Sequence, residues 1–72
     1  MDREPTFYDY SQVLFPQRLR ERPQERAGQA AFNSLNEIRP DLSERVRTTG
    51  LDPFYQDDRL TDFFEFVAKN WA

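Results

Sequence analysis

The sequence predicts an all-α fold, a small three-helix unit preceded by an extended aromatic N-terminal arm, and three observations carry that prediction. Apolar residues recur at spacings of three and four in two stretches, residues 27–38 and 60–71. Helix starts and stops punctuate the chain at Pro23, Pro40, Asp41 and Gly50. The one stretch with strand-like composition, residues 6–15, has no second strand in the chain to pair with.

Taken in order, residues 1–22 form the arm and a charged connector, and residues 23–72 the helical domain. Thr6-Phe7-Tyr8-Asp9-Tyr10-Ser11-Gln12-Val13-Leu14-Phe15 is rich in aromatic and β-branched side chains, which favours an extended segment. A lone strand must lie across the helices or join another chain's sheet, because its backbone groups are otherwise open. The helical spacing of Phe7, Tyr10 and Leu14 competes with that reading. Pro16 and Pro23 then bracket Gln17-Arg18-Leu19-Arg20-Glu21-Arg22, the connector.

The first helix of the domain is expected over residues 24–38. Pro23 suits the first turn, and Glu25 suits the positive end of the helix dipole. Ala27, Ala31, Leu35 and Ile38 make a stripe with Phe32 beside it. Gly28 costs about 1 kcal/mol against Ala inside a helix. With Ala27 and Ala31 it forms a small-residue surface that another element can approach closely. Pro40 stops this helix, since the residue before a proline is pushed away from helical angles.

Asp41-Leu42-Ser43-Glu44 has the pattern of a capping box, and it predicts a short helix over residues 41–48 with Leu42 and Val46 one turn apart. Gly50 fits the left-handed residue that closes it. Asp52-Pro53-Phe54-Tyr55 is a turn whose two aromatics need burial or a partner. The last helix is expected over residues 59–70, capped by Asp57 or Asp58. Leu60, Phe63, Phe64, Val67, Ala68 and Trp71 share one face of it.

Composition excludes much of chemistry. The chain has 72 residues, no Cys and no His, so thiolate zinc sites, disulfides, Cys nucleophiles and imidazole bases are all absent. Ser11, Ser34 and Ser43 have no evident base, and Gly28 and Gly50 stand alone rather than in a phosphate loop. Acid–base work by paired carboxylates needs a walled cleft, for which so short a chain has little material. These points argue against an enzyme, and no cofactor or metal is expected. The acids between residues 52 and 62 do not follow the calcium-loop spacing. No apolar run approaches a membrane span and the start does not read as a signal peptide, so a soluble cytoplasmic protein is expected.

Charge is unevenly spread around a net of −3. Residues 18–26 hold four Arg against Glu21 and Glu25, and residues 52–65 hold five acids against Arg59. The basic connector could meet phosphates. A helix-turn-helix outline over residues 42–67 would instead present Asp58, Asp62 and Glu65 to DNA, which repels such a surface. Direct nucleic-acid reading is therefore disfavoured.

Aromatics make up 15% of the chain, more than a minimal three-helix core requires. The surplus lies on Phe7, Tyr8, Tyr10 and Phe15 of the arm and on Phe66, off the last helix's apolar stripe. Arg accompanies it at Arg18, Arg20 and Arg22. Aromatics and Arg are the residues enriched at interface hot spots. These eight residues are the candidate partner-binding set, for another protein or for a second copy in a homodimer. Below about 70 to 80 residues a single core supplies only a few kcal/mol, which also argues for a partner.

Residues 28–71 carry a further pattern: Gly28-Gln29, Phe32-Asn33 followed by Leu35, Arg39-Pro40-Asp41-Leu42, Arg47-Thr48, Asp52-Pro53-Phe54-Tyr55 and Asn70-Trp71. It resembles a group of small acidic proteins encoded by bacteriophages and some bacteria, most of them without assigned function. The resemblance implies a phage context in a bacterial cytoplasm. There a small non-enzymatic protein would dock on a host protein, of the transcription or defence machinery, and modulate or inhibit it. Two other expectations are a small nucleic-acid-binding regulator using the Arg-rich connector, and a virion assembly component. The arm, residues 1–22, lies outside the pattern.

Overall fold

The computed structural model describes residues 4–54 and 56–71 of the chain. Its all-α character agrees with the sequence, but there are four helices among the described residues rather than three. We label them α1 (residues 7–21), α2 (Ala27–Ile38), α3 (Pro40–Thr49) and α4 (Leu60–Lys69), the last preceded by a 3-10 turn at Asp57–Arg59.

The expectation of an extended arm is overturned: residues 7–21 are helical. Thr6 and Asp9 open α1 with a reciprocal capping box. The Thr6 hydroxyl accepts from the Asp9 N–H at 3.1 Å, and the Asp9 carboxylate accepts from the Thr6 N–H at 3.0 Å. A helix satisfies its own backbone, which a strand without a neighbour cannot. Strand propensity reports packing on a pleated sheet, and no sheet is present among the described residues to reward it.

Pro16 leaves its mark on the ladder. In a regular α-helix it would lack the N–H owed to the Gln12 carbonyl, and its ring would press on that group. The helix widens just before it into a π-helical stretch at Tyr10–Leu14, where the Phe15 N–H bonds to the Tyr10 carbonyl. One residue is thereby absorbed, and Tyr10 and Phe15, five apart, come to the same side.

Helices α2 and α3 pack closely and are joined by Arg39 alone. Helix α2 starts at Ala27, later than the sequence suggests, because Glu25 is drawn away by Arg18 and Arg26 is extended. Helix α3 starts at Pro40 with no side-chain cap, so the expected capping box at Asp41 does not form. The Asp41 carboxylate instead takes a forked pair of bonds from Arg39, both 3.0 Å. Gly50 closes α3 at φ 78°, the left-handed conformation expected of it.

The core cluster is Tyr10, Ala31, Phe32, Leu35, Leu42, Val46, Phe63 and Val67. It draws on all four helices. The turn after α3 also lies against α2: a Cβ on Gly28 would sit 2.1 Å from the Pro53 carbonyl oxygen. The close approach foreseen at Gly28 is thus made by the buried Pro53. Asp57, expected to cap the last helix, reaches across and accepts from the Gly28 N–H at 2.9 Å. It caps α2 through tertiary contact rather than its own helix. Phe54 meets Phe32 edge-on with ring centroids 6.1 Å apart, while Tyr55 lies outside the described residues.

Candidate functional site

Helix α1 has two apolar sides, and its inner side is fixed by aromatic packing. Phe7 meets the Trp71 ring edge-on at 5.8 Å, and Tyr10 stacks on the same ring at 5.7 Å. Phe15 and Tyr10 both contact Phe64 of α4, at 5.4 and 5.9 Å. Such pairs contribute about 0.5 to 1.5 kcal/mol each beyond the area they bury. Trp71 is itself held from two directions. Its indole N–H donates to the Pro5 carbonyl at 3.2 Å, and Arg39 donates to the Trp71 carbonyl at 2.7 Å with its guanidinium 5.1 Å from the ring.

Tyr10 is fully buried, and its hydroxyl donates to the Ala31 carbonyl at 2.6 Å. Burial pushes this phenol above its ordinary range, so it remains a neutral donor. Arg18, one turn beyond Phe15, anchors the other end. It grips Glu25 with a fork of 2.8 and 3.0 Å and reaches Glu37 at 2.8 Å. Both Arg18 and Glu25 side chains are nearly buried, at 13% and 10% exposure. The hydrogen bond from Arg18 holds the Glu25 carboxyl below the usual carboxylate range, and Glu25 in turn raises Arg18.

The eight residues picked from sequence therefore separate. Tyr10 is core and Arg18 is an internal clamp, so neither presents a partner-facing group. Phe7 and Phe15 are half-buried between α1 and α4. Phe66 is half-buried on another side of α4, with the Arg45 guanidinium 5.8 Å from its ring. Tyr8, Arg20 and Arg22 are exposed.

The outer side of α1 is where the surplus apolar surface lies. The exposed large hydrophobics among the described residues are Tyr8 at 69%, Val13 at 48% and Leu19 at 36%, all on this one helix. Beside them Phe7, Ser11, Gln12, Phe15 and Phe64 line an open hollow of about 250 Å³. It offers ring faces, one hydroxyl and one amide, a surface for packing a side chain. No titratable group lines it, so it cannot move a proton.

Val13, Leu19 and Phe64 were not singled out for binding by sequence reasoning. Leu19 was hidden among the charges of the connector. Its signal would have been its helical spacing from Tyr8 through Gln12 and Pro16, visible only once residues 7–21 are read as helix.

Two further hollows lie elsewhere. One of about 230 Å³ runs past Arg18, Glu21, Arg22 and Glu37, and its Arg18 is already paired with the acids around it. The other, of about 290 Å³, has Asn33, Asn36, Arg47 and Asp52 above Phe32 and Phe54. Among the described residues no helix is long and apolar enough to cross a membrane. No group of three or more acids among them is placed to hold a metal ion. No family model matches the chain, and no curated protein or solved structure matches it either.

Proposed function

We propose that this chain is a non-enzymatic, phage-type protein-binding module that docks on a host protein, of the transcription or defence machinery, through the outer side of α1. The observation that carries the reading is the concentration of exposed apolar side chains, Tyr8, Val13 and Leu19, on a helix whose opposite side is already packed. Packing within the chain already uses the inner side of this helix, so large apolar side chains on its outer side, among Gln12, Gln17 and Arg20, are surplus to the fold. Arg20 and Arg22, exposed at the end of the same helix, suit the polar rim of such an interface.

The reading modifies the anchor expected from sequence: Tyr8 stays, and Val13 and Leu19 take the place of the buried Tyr10. The nucleic-acid alternative loses support because Arg18 is committed to Glu25 and Glu37. Capture from bacterial lysate by tagged chain, with captured proteins identified by mass spectrometry, tests the reading. Tyr8→Ala with Leu19→Ala should abolish capture of a specific host protein while the circular dichroism stays helical. Undiminished capture by that folded double variant would overturn it.

A further inference from the structure

We infer that the hollow between α2, the end of α3 and the turn after it binds a free α-amino acid with an aromatic or large apolar side chain. The site shares no lining residue with α1 and stands apart from the docking reading.

Three elements build it. Helix α2 supplies Phe32, Asn33 and Asn36, α3 supplies Arg47, and the turn supplies Asp52 and Phe54. Phe32 is buried and Phe54 half-buried, and their rings, edge-on at 6.1 Å, form an apolar wall. The Arg47 guanidinium lies 5.8 Å from the Phe32 ring. One carboxylate oxygen of Asp52 accepts from the Phe54 N–H at 2.8 Å, which shapes the turn and leaves the other oxygen for a second donor. Asn33 donates its NH2 to Glu25 at 3.3 Å, which leaves its Oδ1 to accept.

The two charges select the ligand. Arg47 and Asp52 line one hollow, yet the ion pair that Arg47 makes is with Glu44, at 3.6 Å, and not with Asp52. The side chains of that pair are 58% and 68% exposed, so it holds Arg47 only weakly. A ligand seated between Arg47 and Asp52 must offer an anion to the first and a cation to the second. A phosphate ester brings extra negative charge beside Asp52, and a polyamine brings positive charge beside Arg47, so each is opposed. A purely apolar group takes water from both charges and replaces none of its hydrogen bonds. An α-amino acid meets every need. Its carboxylate suits the Arg47 fork, its ammonium suits Asp52 and Asn33, and its side chain suits the Phe32 and Phe54 wall. Ligand sites run from about 300 to 1,000 Å³, and this hollow of about 290 Å³ is in proportion to so small a molecule.

Titration of the 15N-labelled full chain with phenylalanine at about pH 6, where the amine is charged, tests this by nuclear magnetic resonance. We expect a dissociation constant on the order of 1 mM, with the moving amide signals concentrated at residues 32–36, 47 and 52–54. N-acetylphenylalanine lacks the ammonium and phenylalaninamide lacks the carboxylate, and each should bind about tenfold more weakly. Asp52→Asn keeps an oxygen for the Phe54 N–H, and with it the turn, but should bind phenylalanine no better than its N-acetyl form. Arg47→Gln should erase the preference for phenylalanine over its amide, and Arg47→Lys should retain it.

Signals that stay still up to about 50 mM phenylalanine overturn the inference. Equal binding of all three ligands by the wild-type chain overturns it too, because the hollow then holds only a ring. Adenosine monophosphate bound more tightly than phenylalanine at the same residues would give the site to a phosphate ester instead. Binding lost in Tyr55→Ala but unchanged in Asp52→Asn and Arg47→Gln would also overturn the assignment.

Discussion

Helix α4 turns Phe63 and Val67 into the core and leaves Asp62, Glu65 and Lys69 in solvent, whereas α1 buries Tyr10 on one side and exposes Tyr8, Val13 and Leu19 on the other. Both helices are aromatic and they lie against each other through Phe64. The difference lies in what each outer side is made of. The outer side of α4 is made largely of charges, whereas that of α1 mixes Gln12, Gln17 and Arg20 with apolar side chains that stay in solvent. Aromatic content alone says little; its division between the two sides of a helix is what sets α1 apart, and it is the ground of the docking proposal.

The comparison breaks first if the inner side of α1 is dispensable. Tyr10→Ala deletes a fully buried aromatic and should cost roughly 3 to 5 kcal/mol. A domain this small has only a few kcal/mol to lose, so urea denaturation should find the variant largely unfolded. A cooperative transition near the wild-type midpoint would mean that α1 is an appendage after all. Gly28→Ala probes the other close approach. A methyl group there would meet backbone at 2.1 Å, so the turn carrying Pro53 must move, and a loss of about 2 kcal/mol or more is expected.

Next in size is the clamp that holds the end of α1 against α2. Arg18→Met removes one partner of a nearly buried pair and strands Glu25, at an expected cost of roughly 3 kcal/mol. The pair also sets an acid dependence. The Glu25 carboxyl is depressed in the folded chain relative to its ordinary value near 4.5. Its contribution is therefore full above that value and is lost as pH falls through the lower folded value. Asp41, depressed by its bond from Arg39, acts in the same direction. Midpoints measured from pH 7 down to pH 2 should fall on the acid side in the wild type, and less steeply in Arg18→Met.

A smaller effect is expected at the start of α1. Thr6→Ala removes the hydroxyl that accepts from the Asp9 N–H and should cost about 1 kcal/mol. Hydrogen exchange should place that loss in residues 7–14. A uniform loss across the whole chain would show instead that α1 unfolds only together with the core.

Much of α2, α3 and α4 was legible in the sequence because their information is local. The stripes at Ala31 and Leu35, Leu42 and Val46, and Phe63 and Val67 follow helical spacing, and Gly50 can adopt the angle that ends α3. What was not legible depends on distant residues. Asp57 caps a helix almost thirty positions away, so its own neighbourhood pointed to the wrong terminus. Helix α1 was obscured because its aromatic and β-branched composition outweighed the helical spacing of Phe7, Tyr10 and Leu14, and the wide turn before Pro16 puts Phe15 one position off that spacing. Its Thr6 to Asp9 cap was present in the sequence, but with Asp where Glu or Gln is usual. The site followed the same division. Tyr8, Arg20 and Arg22 are exposed, as a partner-facing role requires, whereas the burial of Tyr10 was not legible because nothing in the sequence locates the Ala31 carbonyl that receives it.

The smallest expected stability change bears most directly on function. Tyr8→Ala truncates a ring that is 69% exposed, so the monomer's stability should change by no more than about 0.5 kcal/mol. Natural chains tolerate scattered apolar residues on the surface, and one neutral substitution would be unremarkable by itself. Its weight comes from being set beside Tyr10→Ala two positions along the same helix. If both variants destabilise equally, the two sides of α1 are equivalent and the outer side is core not yet recognised. If Tyr10→Ala unfolds the chain while Tyr8→Ala leaves it intact and abolishes association, the residues of one helix divide cleanly into those that hold the fold and those that meet a partner.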